Sequence, residues 1–283
     1  MPEVPRLPLA IVVGVEGSPQ SATALRWAAT QSELTGAPLI AVNAWHAPGL
    51  DLAAAHDEGP AAAHSILLAT ITDALGAARG AMVDARVSLR APADALLELA
   101  PEARLLVVGP HAGATVTGLL LGSVPERVIC EASCPVAVIR ATEPDRTRIV
   151  VGLDGSSFSR CALDWAVRQA WLIGGRVDAI VAWDWTPHYA VYPYGPNEQV
   201  RRRAAEHLLA HELSTLVGAD RSVVTGHIAC GHPAKVLIGA ARGAGLLVVG
   251  NRGAGAGLTH RLGSVSLKCA RHAVVSVAVV HGR

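Results

Sequence analysis

Short runs of Val, Ile and Leu recur along the chain and are separated by Ala-rich stretches of helical length. In the first half the apolar runs fall at residues 9–15, 38–44, 83–89, 104–108 and 135–139. Unbroken apolar runs of this length predict strands buried on both faces, and the intervening segments predict helices. Ser18 followed by Pro19 predicts a helix N-terminus, and Gly36 predicts its end. In the second half Ser156 and Gly174-Gly175 mark the same two positions. Successive βαβ units with right-handed crossovers predict an α/β fold, an open five-stranded parallel sheet with helices on both faces. A ligand is expected at the carboxyl ends of the strands.

The pattern occurs twice. Val12-Val13-Gly14-Val15-Glu16-Gly17-Ser18 returns as Val150-Val151-Gly152-Leu153-Asp154-Gly155-Ser156, and Ala44-Trp45 returns as Ala182-Trp183 at the same offset. Further on, Leu105-Leu106-Val107-Val108-Gly109 returns as Leu246-Leu247-Val248-Val249-Gly250, and Leu121-Gly122-Ser123-Val124 as Leu262-Gly263-Ser264-Val265. The second offset is larger by about three residues, placed around 184–195. Repeats this long are whole domains. A polar seam at 141–148 sets the boundary near residue 143, giving domains 1–143 and 144–283.

Composition narrows the function classes. Hydrophobic residues make up 51% and charged residues 17%, which excludes global disorder. The net charge of +1 provides no field for nucleic acid or an anionic membrane, and no apolar run approaches a bilayer-spanning length. Five scattered cysteines, with no export signal ahead of them, point to a reducing cytoplasm.

Candidate chemistry gathers after the fourth strand of the second copy. Gly250-Asn251-Arg252-Gly253 is followed, nine residues on, by Gly263-Ser264-Val265-Ser266 at a helix start. Glycines let backbone approach a ligand, and the free N–H groups of a helix N-terminus favour an anion. The Ser264 and Ser266 hydroxyls and the Arg252 and Arg261 guanidinium groups add donors and positive charge. A glycine-rich turn with a helix cap is the plainer alternative for isolated glycines. Gly-x-x-x-x-Gly-Lys-Ser/Thr is absent and the only lysines are Lys235 and Lys268, which excludes a P-loop. The first strand also lacks Gly-x-Gly-x-x-Gly, so a mononucleotide fits better than a dinucleotide.

Val-Gly-Leu-Asp-Gly-Ser at a first strand together with Gly-x2-Gly-x9-Gly-Ser after a fourth resembles the universal stress protein family, twice over and along nearly the whole chain. Copy two carries the family's ATP pattern at Gly250, Gly253, Gly263 and Ser264, with the first-strand acid at Asp154. The resemblance implies two tandem Rossmann-like domains of strand order 3-2-1-4-5 and ATP as ligand. It places adenine and ribose against Asp154 and Ala182, while Arg252, Val265 and Ser266 complete the candidate nucleotide site with the glycines. It further implies that the copies pair as an internal pseudo-dimer through 135–140 and 275–280.

Copy one keeps Gly109, Gly122 and Ser123, its candidate ligand residues, but departs elsewhere. Glu16 replaces Asp, Ala112 stands at the second glycine, and Pro110 and Pro125 each remove an N–H. No Arg or Lys lies between Gly109 and Pro125. Weak or absent nucleotide binding is expected there, unless Gly113 takes over by a one-residue shift.

Other signals favour structural readings. His207 and His211 have metal-ligand spacing on a predicted helix but no third ligand, and Cys130 and Cys134 read as buried small residues. Arg201-Arg202-Arg203 reads as a solvated helix start. The aromatic segment from Trp183 to Tyr194 is either a site lid, an interface cover or a loop packed on its own domain. The expectation is an adenine-nucleotide-binding protein that signals in stress response through an unknown protein partner, with a homodimer as a further association. The alternatives are a slow ATP hydrolase or adenylyl-transfer enzyme needing Mg2+, and a nucleotide-free dimerisation scaffold.

Overall fold

The computed structural model describes residues 9–45, 59–110, 121–141, 145–184, 198–254 and 262–282. The chain divides into two compact units, Met1–Arg140 and Ala141–Arg283. Unit 1 runs β1 (Ala10–Gly14), α1 (Pro19–Thr35), β2 (Leu39–Ala44), α2 (Gly59–Gly80), β3 (Val83–Ser88), α3 (Pro92–Leu99), β4 (Ala103–Val108), α4 (Ser123–Glu131) and β5 (Val136–Val138). Unit 2 runs β6 (Asp145–Leu153), α5 (Ser157–Ile173), β7 (Arg176–Trp183), α6 (Glu198–Ser214), α7 (Ala219–Ser222), β8 (Val224–Cys230), α8 (Pro233–Ala240), β9 (Ala244–Gly250), α9 (Ser264–His272) and β10 (Ser276–Val280).

The strand order is β3-β2-β1-β4-β5 in unit 1 and β8-β7-β6-β9-β10 in unit 2, with every pairing inside a unit parallel. Successive strand side chains point to opposite faces, so a strand buried at nearly every position must be covered on both. β4 and β9 are such strands, whereas the edge strand β3 alternates between half-buried and exposed positions. In unit 2 Ile149, Val151, Leu163, Val167, Val177 and Val248 join one core between sheet and helices.

Local chemistry sets the helix ends. The Ser18 hydroxyl accepts the Ser21 N–H at 3.1 Å, and the Ser156 hydroxyl accepts the Ser159 N–H at 3.1 Å. The turn before each cap needs a left-handed residue, supplied by Gly17 (φ +88°) and Gly155 (φ +80°). The helices close on Gly36 and Gly174, both left-handed.

Three features differ from the sequence reading. Residues 145–148, read as part of the polar seam, belong to β6: Asp145 pairs with Arg176 at 2.6 Å, and Arg148 with Asp178 at 2.7 Å. Their polar side chains reach ionic partners on the neighbouring strand, which lets a polar stretch lie in a sheet. Second, α2 is long and apolar enough, by length and composition, to cross a membrane. Its buried residues Ala63, Leu67, Ile71 and Leu75 recur every four positions and form one face, and the helix packs on α1, β2 and β3. Third, β5 is shorter than the 135–139 run by one residue at each end.

Ala112, Gly113, Arg261, the segment 185–197 and most of the expected three-residue insertion lie outside the described residues. His207 and His211 lie on α6, and among the described residues no third ligand joins them. Arg202 pairs with Glu206 at 3.0 Å on the same helix. Cys134 is buried and Cys130 half-buried, and none of the five cysteines is in a disulfide.

Candidate functional site

Parallel strands end on one edge of a sheet, and the loops that leave this edge wall off a cavity of about 310 Å³ in unit 2. The end of β6 contributes Gly152, Leu153 and Asp154, β7 contributes Ile180 and Ala182, and β9 contributes Val249 and Gly250. Pro233 and Leu237 of α8 close the apolar side. Arg252, Gly253 and Gly263, with Ser264, Val265 and Ser266 at the start of α9, form the polar side. Nine of the ten residues proposed for copy two from sequence therefore line one cavity, and the tenth, Arg261, lies outside the described residues.

The polar side is arranged for an anion. The Leu267 N–H is used by the Gly263 carbonyl at 3.0 Å, so the N–H groups of Ser264, Val265 and Ser266 are the ones a helix leaves unpaired at its start. The buried Ser266 hydroxyl donates to the Gly250 carbonyl at 2.6 Å, and the Gly263 N–H donates to the Asn251 carbonyl at 2.7 Å. These two bonds fix the helix start against the end of β9. Arg252 lies over the ring of Phe158, 5.9 Å from its centroid, and its Nε makes no hydrogen bond among the described residues. Gly250 lets β9 pass against Phe158, because a Cβ there would stand 2.8 Å from Phe158 backbone.

Asp154 joins the two loops. Its Oδ1 accepts the Ser156 hydroxyl at 2.6 Å and the Ser156 N–H at 3.1 Å, and its Oδ2 accepts the Ala254 N–H at 2.9 Å. Crowding of the carboxyl by surrounding atoms acts to raise its pKa, but these donors and the Ser159 hydroxyl outweigh that effect. The net result lies below the ordinary carboxyl value. A Cβ on Gly253 would stand 2.5 Å from Asp154 Oδ2, so the second glycine of the motif makes room for this carboxylate. The sequence reading assigned Asp154 to adenine and ribose. In the structure it lines the cavity and also holds the β9–α9 loop.

Unit 1 has the corresponding cavity, about 220 Å³, lined by Val15, Glu16, Val42, Ala44, Leu96, Val108, Gly109, Ser123 and Pro125 among others. Gly109 and Ser123 thus line it, while Gly122 supports it from the N-cap of α4 by donating its N–H to the Pro110 carbonyl at 2.8 Å. Glu16 accepts the Ser18 hydroxyl at 2.5 Å. The residues that sequence reasoning missed in unit 2 are Leu153, Ile180, Pro233, Leu237 and Val249, together with Phe158 behind Arg252. Their apolar character carried no signal separating a cavity wall from a core.

Residues 10–140 and 146–281 each match the model of Usp, the universal stress protein family. The chain belongs to the universal stress protein family. Among its relatives, the universal stress protein Rv2005c of Mycobacterium tuberculosis is 32% identical over 296 residues, covering 97% of this chain and 98% of that one. A universal stress protein of Mycolicibacterium smegmatis is 30% identical over 287 residues, covering 96% of this chain and 97% of that one. In fold, the chain is similar to a universal stress protein of Archaeoglobus fulgidus, with a TM-score of 0.67 at 21% identity and 96% coverage of both chains. A putative universal stress protein of Pseudomonas aeruginosa gives 0.68 at 17% identity, covering 98% of this chain and 94% of that one. The universal stress protein unit is therefore present twice, in tandem.

Proposed function

We propose that this universal stress protein binds an adenine nucleotide, ATP first, in the unit 2 cavity and acts as a regulatory binding protein in stress response, passing its signal by protein contact. The observation that carries this reading is one cavity with an apolar slot at one end and, at the other, the N-terminus of α9, two serines and Arg252. The apolar slot between Ile180, Ala182 and Leu237 suits a flat ring, and the α9 end suits phosphates. Such an anion would meet Ser264, Ser266 and Arg252, and the ribose hydroxyls would compete for the Asp154 carboxylate. Bound ATP supplies a charged, ordered surface between the two loops. The residues of the cavity bind and orient it.

The test starts from protein purified without added nucleotide. Denaturing it and identifying the released small molecule by mass spectrometry is expected to give an adenine nucleotide at about one per chain. Calorimetry is expected to show that Asp154→Ala weakens ATP at least tenfold, about 1.4 kcal/mol, without unfolding. Unchanged affinity in that variant, or a chain that neither carries nor takes up adenine nucleotide, defeats the proposal. Accumulation of ADP with Mg2+ would favour the hydrolase reading.

A further inference from the structure

The two cavities share their apolar walls and differ at their polar ends. Val15, Val42, Leu96 and Val108 in unit 1 stand where unit 2 has Leu153, Ile180, Leu237 and Val249, and both units place an alanine, Ala44 or Ala182, at the end of the second strand. The strand-end slot is therefore kept, with only small changes of apolar bulk.

The anion end is reversed in chemistry. Pro125 takes the place of Ser266, so α4 lacks both the N–H and the hydroxyl at that position. The Glu126 N–H is used by the Gly122 carbonyl at 3.1 Å, so among the described residues only Ser123 and Val124 keep N–H groups that helix geometry leaves unpaired at the start of α4. Glu126 itself places an acid in the first turn, where unit 2 has Leu267. The flanking helices follow the same reversal. α8 and α9 carry Lys235, Lys268 and Arg271 and no acid, whereas α3 and α4 carry Asp94, Glu98, Glu126 and Glu131 against the single Arg127. That arginine is already paired with Asp94 at 2.5 Å and Glu131 at 3.4 Å. Glu98 is paired with Arg90 at 2.8 Å, just before α3. With Glu16 lining the cavity, five acids stand against Arg90 and Arg127, so the fixed charges on this side are net negative and oppose a phosphate.

We propose that the unit 1 cavity is a second binding site, for an uncharged nucleoside-like ligand, that rejects nucleotides carrying phosphate. Its expected ring-and-sugar chemistry rests on the nucleotide reading of unit 2, whose slot it shares. One chain then responds to two forms of one metabolite class, the phosphorylated form in unit 2 and the dephosphorylated form in unit 1.

The test uses the full chain, with adenosine and ATP as probes in calorimetry, and a matched pair of variants that fill each slot, Ala44→Trp and Ala182→Trp. The wild-type chain is expected to take two adenosines and one ATP. Ala182→Trp is expected to keep one adenosine site and lose ATP, and Ala44→Trp to keep ATP and lose one adenosine. An Ala182→Trp chain that folds normally but takes no adenosine overturns the proposal, as does one that takes ATP within tenfold of its adenosine affinity. A second variant does not depend on filling the slot: Pro125→Ser with Glu126→Leu is expected to raise ATP affinity in unit 1 at least tenfold, and no gain overturns the electrostatic argument. Failure of ATP to bind the wild-type chain, with adenosine retained by Ala182→Trp, defeats the unit 2 reading and supports this one.

Discussion

Gly253→Ala separates the work of the motif's second glycine from the stability of the fold. The new methyl would stand 2.5 Å from Asp154 Oδ2, and the next atom, Asp154 Cγ, is 3.8 Å away. Only the tip of one side chain must move, so the carboxylate rotates off the loop and the 2.9 Å bond to the Ala254 N–H is lost. The displaced carboxylate is the group proposed to meet the ribose hydroxyls; a hydrogen bond to a charged group contributes about 1.5–3 kcal/mol, and at about 1.4 kcal/mol per tenfold the loss of that ligand contact predicts ATP binding weaker by roughly ten- to a hundredfold. The unfolding midpoint should barely change, because the bond lies at the surface of unit 2 and no core contact is touched. Two neighbours serve as controls. A methyl on Gly263 meets nothing closer than 3.4 Å, so any affinity that Gly263→Ala loses reports contact with the ligand. A methyl on Gly250 meets Phe158 backbone at 2.8 Å, so Gly250→Ala should lower the midpoint as well. Calorimetry with ATP beside thermal unfolding reads both axes, and a Gly253→Ala affinity within twofold of wild type refutes the latch.

Three further outcomes are expected. Ser266→Ala removes the buried hydroxyl bond to the Gly250 carbonyl and should cost about 1 kcal/mol in urea unfolding, with no loss if the carbonyl finds another donor. Asp145 receives the Thr147 hydroxyl and the Arg176 guanidinium, which hold its carboxyl at about 2, below the ordinary 3.8. Its contribution is therefore complete above pH 3.8 and lost as the pH falls toward 2, so Asp145→Asn should be less stable than wild type above that range, and the gap should close in acid. Burial pushes the Cys134 and Cys269 thiols up to about 12, whereas Cys230 is exposed. A disulfide reagent at neutral pH should label Cys230 in the folded chain and reach Cys134 and Cys269 only on unfolding; equal labelling rates would contradict the burial.

The strands were legible because burial on both faces leaves an unbroken apolar run, and β1 to β5 fall within about one residue of the runs read at 9–15 through 135–139. The α5 start was legible for a different reason, since Ser156 and Gly155 are residue types that a cap and a left-handed turn select. The beginning of β6 was not, because Asp145 and Arg148 look like linker residues until Arg176 and Asp178 lie beside them. In the site, the glycines and serines of the β9–α9 loop stood out through spacing, while Ile180, Leu237 and Val249 did not. Phe158 under Arg252 depends on a contact between distant parts of the chain, which no local pattern encodes. The bond from Ala254 to Asp154 is hidden in the same way, since any residue at 254 except proline offers the same N–H.

Pro125 gives the duplication a direction. A proline in the first turn of a helix meets no preceding carbonyl and forfeits an N–H that helix geometry leaves unpaired, so it carries almost no folding penalty. Serine and proline codons can differ by one base, so a gene copy can give up an anion contact in one mutational step, with a sound fold on both sides of it. Loss of the polar end is then an open path for either half of a tandem chain, while regaining it takes at least two coordinated changes, at positions 125 and 126. Selection for the ligand in one half suffices to let the other drift, and a two-site protein becomes asymmetric without passing through an unstable ancestor.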